Sequence, residues 1–370
     1  MGSSFTPPAL LEITERIRAA AAAGTMLSIQ GGGTKDFYGE PPQGEPLSTA
    51  GLTGITSYEP SELVVTVRAG TPLAELEAAL AEKGQCLAFE PPRFADGGTV
   101  GGMVAAGLSG PSRASVGSVR DFVLGAVLVN GRGEVLIFGG QVMKNVAGYD
   151  VSRVLAGSLG VLGVIAEVSL KVLPVAPAEA TLEFACTQSD ALRLLNEWGG
   201  RPLPLNASVW REREGAGFLS LRLRGASAAV QAACTQLGGE RQDPEDSAAG
   251  WQALRDQRHA WFSSHAEHDL WRLAVPQTAP VLDVAGSTLV EWHGGRRWYL
   301  APPDQRPQLR AAAQAAGGHA TLFRPSDAHG HRVLGRFDAL SGPVERIHRA
   351  LMQEFDPHAV FHRGRLYPAA

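Results

Sequence analysis

The chain has 370 residues, more than one compact domain usually holds, so its length predicts two domains. A hydrophobic content of 44% fits a globular chain with a sizeable core, and a net charge of −4 argues against a broad nucleic-acid-binding surface. No apolar run is long enough for a membrane span, and the pattern at the start predicts no signal peptide.

Glycine and tryptophan are unevenly distributed along the chain. Glycine accounts for 44 residues, about 12% against the usual ~7%, and most of these precede residue 176. All seven tryptophans follow that residue. The proline-containing stretch 174–177 lies at the change, so we predict a domain boundary there.

The first half is predicted to contain short helices and strands joined by glycine-rich loops. Leu10, Ile13, Ile17 and Ala20 form one helical stripe that ends at Gly24. Strands are predicted at 26–30, 63–68, 123–129, 134–138 and 164–172, and a helix from 71 to 84. The turn 130–133 is typical of a hairpin, and alternation along 164–172 predicts a strand with one buried face.

In the second half, the predicted strands alternate with longer helices. Strands are predicted at 181–184, 208–210, 218–223, 271–275 and 288–292, and helices near 189–198, 226–237, 247–258 and 306–316. Strands that alternate with helices of this length predict an antiparallel sheet with helices on one face.

Four glycine-dense turns in the first half are the strongest candidate site: 31–34, 97–102, 107–110 and 157–160. The first turn does not match the G-x-G-x-x-G fingerprint, because prolines follow it and no helix is predicted there, and the phosphate-loop motif is absent from the chain. Glycine lets backbone N–H groups approach an anion closely, so several such turns together would cradle a pyrophosphate. The alternative is that each is a tight turn in a compact sheet protein.

A series of motifs carries a family resemblance. They lie at 29–39 (IQGGGTKDFYG), 90–92 (EPP), 98–105 (GTVGGMVA), 117–125 (GSVRDFVLG), 138–150, 157–165 (GSLGVLGVI) and 171–174. In this order they resemble the FAD-binding domain of the vanillyl-alcohol oxidase and p-cresol methylhydroxylase (PCMH) flavoprotein family. Within that family, the chain resembles the FAD-binding subunits of glycolate oxidase complexes.

The resemblance implies an α+β fold with three parts. A two-subdomain PCMH-type FAD-binding domain covers 1–175, and a smaller α+β cap domain with an antiparallel sheet covers 176–335. The segment 336–370 returns to the FAD domain. The implied location is the cytoplasm, peripheral to the inner membrane through partners. The three isolated cysteines agree with this location, since their number and spacing exclude a disulfide framework and a cysteine-ligated metal site in this chain.

The resemblance also implies which residues bind FAD. The loop 31–35 and the turns at 98–99 and 101–102 would hold the pyrophosphate, 106–107 and 118–119 would line the cofactor, and the backbone at 163–165 would contact its adenine side. The full set of candidate residues is Gly31, Gly32, Gly33, Thr34, Lys35, Pro91, Gly98, Thr99, Gly101, Gly102, Ala106, Gly107, Ser118, Val119, Gly163, Val164 and Ile165.

The implied activity is oxidation of glycolate to glyoxylate. Electrons would pass through flavin to a separate iron–sulfur subunit, with a companion flavin subunit in the same complex. The metal motif G-D-G-N-x-H of related 2-hydroxy-acid dehydrogenases is absent from the sequence, and His329 and His331 are more typical of a solvated loop than of a metal site. We therefore expect no metal, and the sequence leaves the catalytic residues unassigned.

Two alternative functions remain open at this point. One is a self-sufficient FAD-dependent oxidoreductase for a related 2-hydroxy acid or alcohol, and the other is a non-catalytic scaffold subunit. The family often attaches FAD covalently to a histidine directly after the first glycine turn. Here that residue is Thr34, so we expect noncovalent FAD.

Overall fold

The computed structural model describes residues 7–140, 150–326 and 335–367. Motif residues 141–149 and the histidines at 329 and 331 lie outside the described residues. Within the described ranges, no helix is long and apolar enough to cross a membrane. All three cysteines are free.

The first half contains nine strands within the described residues: β1 (Leu27–Gln30), β2 (Glu45–Ser48), β3 (Ile55–Glu59), β4 (Val64–Arg68), β5 (Gln85–Cys86), β6 (Val123–Val129), β7 (Val135–Gly139), β8 (Val164–Lys171) and β9 (Leu173–Pro174). Five of them form an antiparallel sheet with strand order β3-β4-β8-β6-β7. The helices are α1 (Pro8–Ala23), α2 (Leu73–Ala81), α3 (Val100–Ala106), α4 (Arg113–Val116), α5 (Val119–Phe122) and α6 (Val151–Val154). β1 pairs with β2 in parallel, and β5 pairs with β9.

Strand β8 is buried on both faces, so the prediction of one buried face is wrong. Val168 and Leu170 pack in a core that includes α2, whereas Val164 and Ala166 pack in a second core that includes α1. The pairing of β8 with β6 shifts register within the strand. Such a bulge changes which side chains point to each face, and simple alternation cannot reveal it.

An eight-stranded antiparallel sheet organises the second half, as predicted, with strand order β13-β10-β12-β11-β15-β16-β14-β17. Its strands are β10 (Ala178–Ala185), β11 (Leu205–Arg213), β12 (Ala216–Gly225), β13 (Glu240–Arg241), β14 (Asp269–Ala274), β15 (Ser287–Glu291), β16 (Arg296–Ala301) and β17 (His319–Arg324). The helices that follow α6 are α7 (Gln188–Gly199), α8 (Ser227–Leu237), α9 (Pro244–Arg255), α10 (Arg306–Ala315) and α11 (Gly342–Phe355). The α+β fold class is confirmed.

The expectation of helices on one face is correct for α7, α8 and α10 but wrong for α9. Trp251 and Leu254 of α9 pack on the opposite face, with Trp298 and Phe323. That second face is also apolar and is covered partly by α9 and partly by the first half, through residues such as Leu108. Both faces of this sheet are therefore buried.

The two halves meet along a continuous interface, which we call the seam. Arg272 of β14 donates to the Tyr38 hydroxyl at 2.8 Å, and the backbone N–H of Arg93 donates to Asp256 at 2.8 Å. The C-terminal segment also contacts the first half, since Phe361 bridges to Leu27 and is fully buried in the α1 core. The exact limits of the predicted domains stay a prediction.

Glu90 is the most heavily engaged charge at the seam. Its carboxylate accepts two hydrogen bonds from Arg222 of β12, at 2.7 and 2.8 Å, and one from the backbone N–H of Ser112 at 3.0 Å. Arg224 lies 3.3 Å away. Burial by itself would raise the pKa of Glu90, but Arg222, Arg224 and Ser112 outweigh it and hold that pKa below its usual value.

We predict that Glu90→Gln lowers the free energy of unfolding by about 3–5 kcal/mol, because it leaves Arg222 buried without its counterion. A denaturant titration measures the change. Glu345→Gln, in an exposed pair with Arg349 on α11, is the matched control and should change it by less than about 0.5 kcal/mol.

The pH dependence of this contribution follows from the lowered pKa. The stabilisation is complete above the ordinary carboxyl pKa of 4.5 and is lost as the pH falls through the lower pKa of the folded state. An unfolding free energy for Glu90→Gln equal to wild type at neutral pH would contradict the role given to this pair.

Candidate functional site

The predicted glycine turns converge on one cleft, which we call the glycine cleft. The cleft is narrow, with a volume of about 100 Å³. Its lining residues are Ile29, Gly31, Gly32, Gly33, Thr34, Lys35, Asp36, Thr49, Ala69, Thr99, Gly101, Gly102, Ala105, Ala106, Leu159, Gly160, Gly163, Ile165 and Arg365. The walls thus combine backbone of the first glycine turn with the start of α3 and the turn before β8.

Two of the turns approach each other so closely that side chains are excluded. A Cβ on Gly32 would overlap the carbonyl oxygen of Gly97, and one on Gly31 would lie 2.5 Å from the hydroxyl oxygen of Thr99. The turn at 97–102 is in fact the start of α3, where the Thr99 hydroxyl caps the helix by accepting from Gly102 N–H at 3.2 Å. Glycine is therefore required at 31 and 32 for the close packing of these two turns, which together form one wall of the cleft.

Lys35 brings a buried cation to the glycine cleft. Its ammonium lies 3.4 Å from the Thr34 hydroxyl oxygen and 5.9 Å from the centre of the Phe94 ring. It forms no ion pair with any residue that the structure describes. Burial lowers the pKa of Lys35 to about 8, offset only in part by Asp256. A buried ammonium without a counterion is costly, so the site is suited to an anion.

A second, larger cavity of about 710 Å³ lies at the seam, and we call it the arginine crevice. Its lining includes Tyr38, Ala106, Gly107, Arg113, Ser118 and Asp121 from the first half, Arg272, Trp292, Arg296 and His319 from the second half, and Phe337 and Tyr367 from the C-terminal segment. Ala106 lines both cavities. The crevice therefore adjoins the glycine cleft.

Most of the predicted cofactor residues line one of these two cavities, and a few do not. Gly107 and Ser118 line the arginine crevice, and most of the others line the glycine cleft. Gly98 lies just behind the cleft, where its Cβ would be 3.4 Å from the Thr34 hydroxyl. Val119 and Val164 have buried side chains in the two cores of the first half, and Pro91 is buried next to Glu90.

Several lining residues were not predicted. Leu159 and Gly160 belong to the glycine-dense turn 157–160. Leu159 adopts a left-handed φ of 50°, which is unusual for leucine and cannot be predicted from its residue type. Arg365, from the far end of the chain, lines the glycine cleft. Arg113 and Arg272 line the arginine crevice, and nothing in their local sequence indicates that both side chains face one cavity.

The arginine crevice is electrostatically positive. Arg296 is buried, pairs with Glu291 at 3.5 Å and donates to the Ser109 carbonyl at 3.0 Å. Burial lowers the pKa of Arg296 to about 9, offset in part by Glu291 and reinforced by repulsion from Arg272 and Arg113. Burial also lowers the pKa of Arg113.

Histidine-based metal sites find little support in the described residues. His265, Glu267 and His268 are the one group there whose ligand atoms come close together, within 4.8 Å, and two of the three are exposed. His293 bridges Ser208 and Ser115 at 3.0 and 3.1 Å, and burial lowers its pKa to about 4. This histidine is neutral and hydrogen-bonded at both nitrogens.

Comparisons with known proteins agree with the motifs. A family model described as an FAD binding domain matches residues 5–139. The chain is 42% identical to glycolate oxidase subunit GlcE of Escherichia coli (strain K12) over 355 residues, which are 96% of each chain. These matches confirm the resemblance inferred from the sequence and the FAD cofactor.

More distant relatives share parts of the chain. D-lactate dehydrogenase of Archaeoglobus fulgidus is 29% identical over 205 residues, 55% of this chain and 46% of the relative. Glycolate oxidase subunit GlcD of Bacillus subtilis (strain 168) is 31% identical over 141 residues, 38% of this chain and 30% of the relative. A solved structure of alkyldihydroxyacetonephosphate synthase has the same fold, with a TM-score of 0.64 at 16% identity, over 95% of this chain and 73% of that one.

Proposed function

Because this chain belongs to the family of glycolate oxidase subunit GlcE, we propose that it is the FAD-binding subunit of a complex that oxidises glycolate to glyoxylate. It is an FAD-dependent oxidoreductase that acts on CH–OH groups. In the proposed complex it works beside a companion flavin subunit and passes electrons to an iron–sulfur subunit. The observation that carries the proposal is the GlcE relationship over nearly the whole chain, combined with a cleft that suits a pyrophosphate.

The residues of the two cavities fit FAD. In our proposal the glycine turns and Lys35 hold the pyrophosphate, since these groups offer backbone N–H donors and an unpaired cation. Ile29 and Ile165 offer apolar surface in the same cleft, and Ala106, Gly107 and Ser118 line the path toward the crevice. FAD, when bound, supplies the hydride- and electron-accepting chemistry; the protein binds it, orients it and excludes water.

A second candidate function is favoured by the arginine crevice. A positive cavity beside the cofactor cleft is what a self-sufficient 2-hydroxy-acid oxidoreductase would need in order to bind its substrate. Both candidates require FAD, and they differ in whether this chain oxidises glycolate without its partners.

We predict that FAD affinity falls as the pH rises through about 8, the pKa of Lys35 in the free protein. The charged ammonium attracts the pyrophosphate, so binding favours the protonated lysine and weakens when it is neutral. Lys35→Met should weaken FAD binding about tenfold at neutral pH and remove this pH dependence, whereas Lys35→Arg should keep the affinity constant across the same range.

FAD dissociation constants measured by fluorescence titration at a series of pH values test this. Lys83→Met removes an exposed lysine at the end of α2 and is the matched control. If Lys35→Met keeps the wild-type affinity and pH profile, Lys35 does not face the pyrophosphate.

We predict that FAD is bound noncovalently, because Thr34 follows the first glycine turn and its hydroxyl is a poor group for attachment to the flavin methyl. After acid precipitation of the FAD-loaded protein, the yellow colour should remain in the supernatant and the chain should keep its unmodified mass. A yellow pellet with a mass raised by one FAD would refute this.

We predict that the isolated, FAD-loaded chain turns over glycolate poorly. Anaerobic mixing with glycolate should leave the flavin absorbance largely that of the oxidised form, while dithionite, as a control, bleaches the same sample. Rapid bleaching by glycolate alone would instead establish the second candidate function.

A further inference from the structure

Two guanidinium groups in the arginine crevice lack an anionic partner. Arg113, at the start of α4, makes no side-chain hydrogen bond and no ion pair within the described ranges. Arg272 donates to one neutral group, the Tyr38 hydroxyl, and otherwise lies over the Tyr38 and Phe323 rings at 5.4 and 5.6 Å. By contrast, Arg222, another arginine at the seam, has an anionic partner, because it donates to both carboxylate oxygens of Glu90.

The carboxylates nearest to these arginines are already engaged. The Oδ2 atom of Asp121 accepts from both the backbone N–H and the hydroxyl of Ser118, each at 2.8 Å. Glu291 accepts from the Trp298 indole and pairs with Arg296. Asp121 offsets part of the charge of Arg113. Arg113, Arg272 and Arg296 nevertheless outnumber these two carboxylates, so the crevice retains a net positive charge.

The Arg113 guanidinium is held in position by an aromatic ring. It lies 4.3 Å from the centre of the Trp292 ring, and Arg296 lies 3.2 Å from the same ring centre. The Trp292 indole is fixed in turn, since it donates to the Gly110 carbonyl at 2.9 Å. This cation–π contact uses none of the guanidinium N–H groups as hydrogen-bond donors, so they stay available for an oxyanion.

We propose that Arg113 and Arg272 form a carboxylate-binding subsite, which holds a small 2-hydroxy or 2-oxo acid in the crevice beside the FAD cleft. Arginine suits this role because its planar fork matches both oxygens of a carboxylate. The identity of the acid rests on the proposed function; the anion site itself rests on two guanidinium groups that form no ion pair within the described residues. Both arginines are specificity-determining residues, and neither lines the glycine cleft.

The test measures binding without turnover. The FAD-loaded wild-type chain is titrated calorimetrically with oxalate, glycolate and, separately, inorganic phosphate. We expect saturable binding of the two carboxylates and weaker binding of phosphate. Arg113→Gln and Arg272→Gln should each weaken oxalate binding at least about tenfold, and flavin content should be unchanged.

Matched variants distinguish a specific loss of oxalate binding from an effect of lost positive charge or of misfolding. Arg120→Gln removes an exposed arginine on α5, close to Arg113 in the chain, and should bind oxalate as wild type does. Arg113→Lys and Arg272→Lys keep the charge without the planar fork and should give intermediate affinities. These two conservative variants also keep the test valid if a glutamine variant fails to fold.

Three results would overturn the proposal. They are no oxalate binding by the loaded wild type, wild-type affinity in both glutamine variants, and phosphate binding as tight as oxalate binding. Any of them would leave the proposed FAD-binding role intact. Failure of the wild-type chain to bind FAD would instead remove the proposed function before the carboxylate titration begins.

Discussion

The buried carboxylate of Glu90 joins the first half to two arginines of the second half. Glu90 follows the short β5–β9 pairing, adopts a left-handed φ of 51° and is locked by Arg222, Arg224 and Ser112. A left-handed φ is unfavourable for a non-glycine residue such as Glu90. The ion pair that offsets this conformational cost is made with Arg222 and Arg224 of β12, in the second sheet. Glu90 therefore acts as a connector whose geometry is satisfied in one arrangement of the halves. Buried ion pairs of this kind often contribute more to a unique arrangement than to net stability, which we take as a hypothesis for this seam.

The two cavities depend on that arrangement to different degrees. The glycine cleft is built within the first half, with Arg365 added from the C-terminal segment, and needs close approach of backbone between the turns at 31–34 and 97–102. The arginine crevice exists only between the halves, because Arg113 belongs to one wall and Arg272 to the other. Trp292 joins the walls directly through its hydrogen bond to Gly110. Any change that shifts the second sheet relative to the first would thus alter the crevice more than the cleft.

The sequence was informative where the chemistry is local. Glycine turns, the hairpin at 130–133, the end of α1 at Gly24 and the helices α7, α8 and α10 could all be predicted, because each depends on neighbouring residues. The motif order also identified the family and its cofactor. The sequence was uninformative where distant elements meet. The strands β16 and β17 and the helix α11 were not predicted, α9 was assigned to the wrong face, and the second buried face of β8 depends on a bulge against β6. Arg113 and Arg272 lie 159 positions apart in the sequence, and only the fold shows that they face one cavity.

The distribution of charge connects these observations. The chain as a whole is slightly acidic, with a net charge of −4, yet Lys35, Arg113 and Arg272 are partly or largely buried cations without an acidic partner in the described residues. Holding such groups away from water opposes folding, and an anion that binds beside them recovers part of that cost because binding and folding are linked. Lys35 lines the glycine cleft and the two arginines line the adjoining arginine crevice. An anion bound in either cavity would therefore lower the cost of holding these cations away from water. In our proposals, the pyrophosphate of FAD lies beside Lys35 and a carboxylate lies beside the two arginines. The two adjoining cavities therefore each present positive charge, which is the arrangement that the proposed cofactor and the proposed acid require.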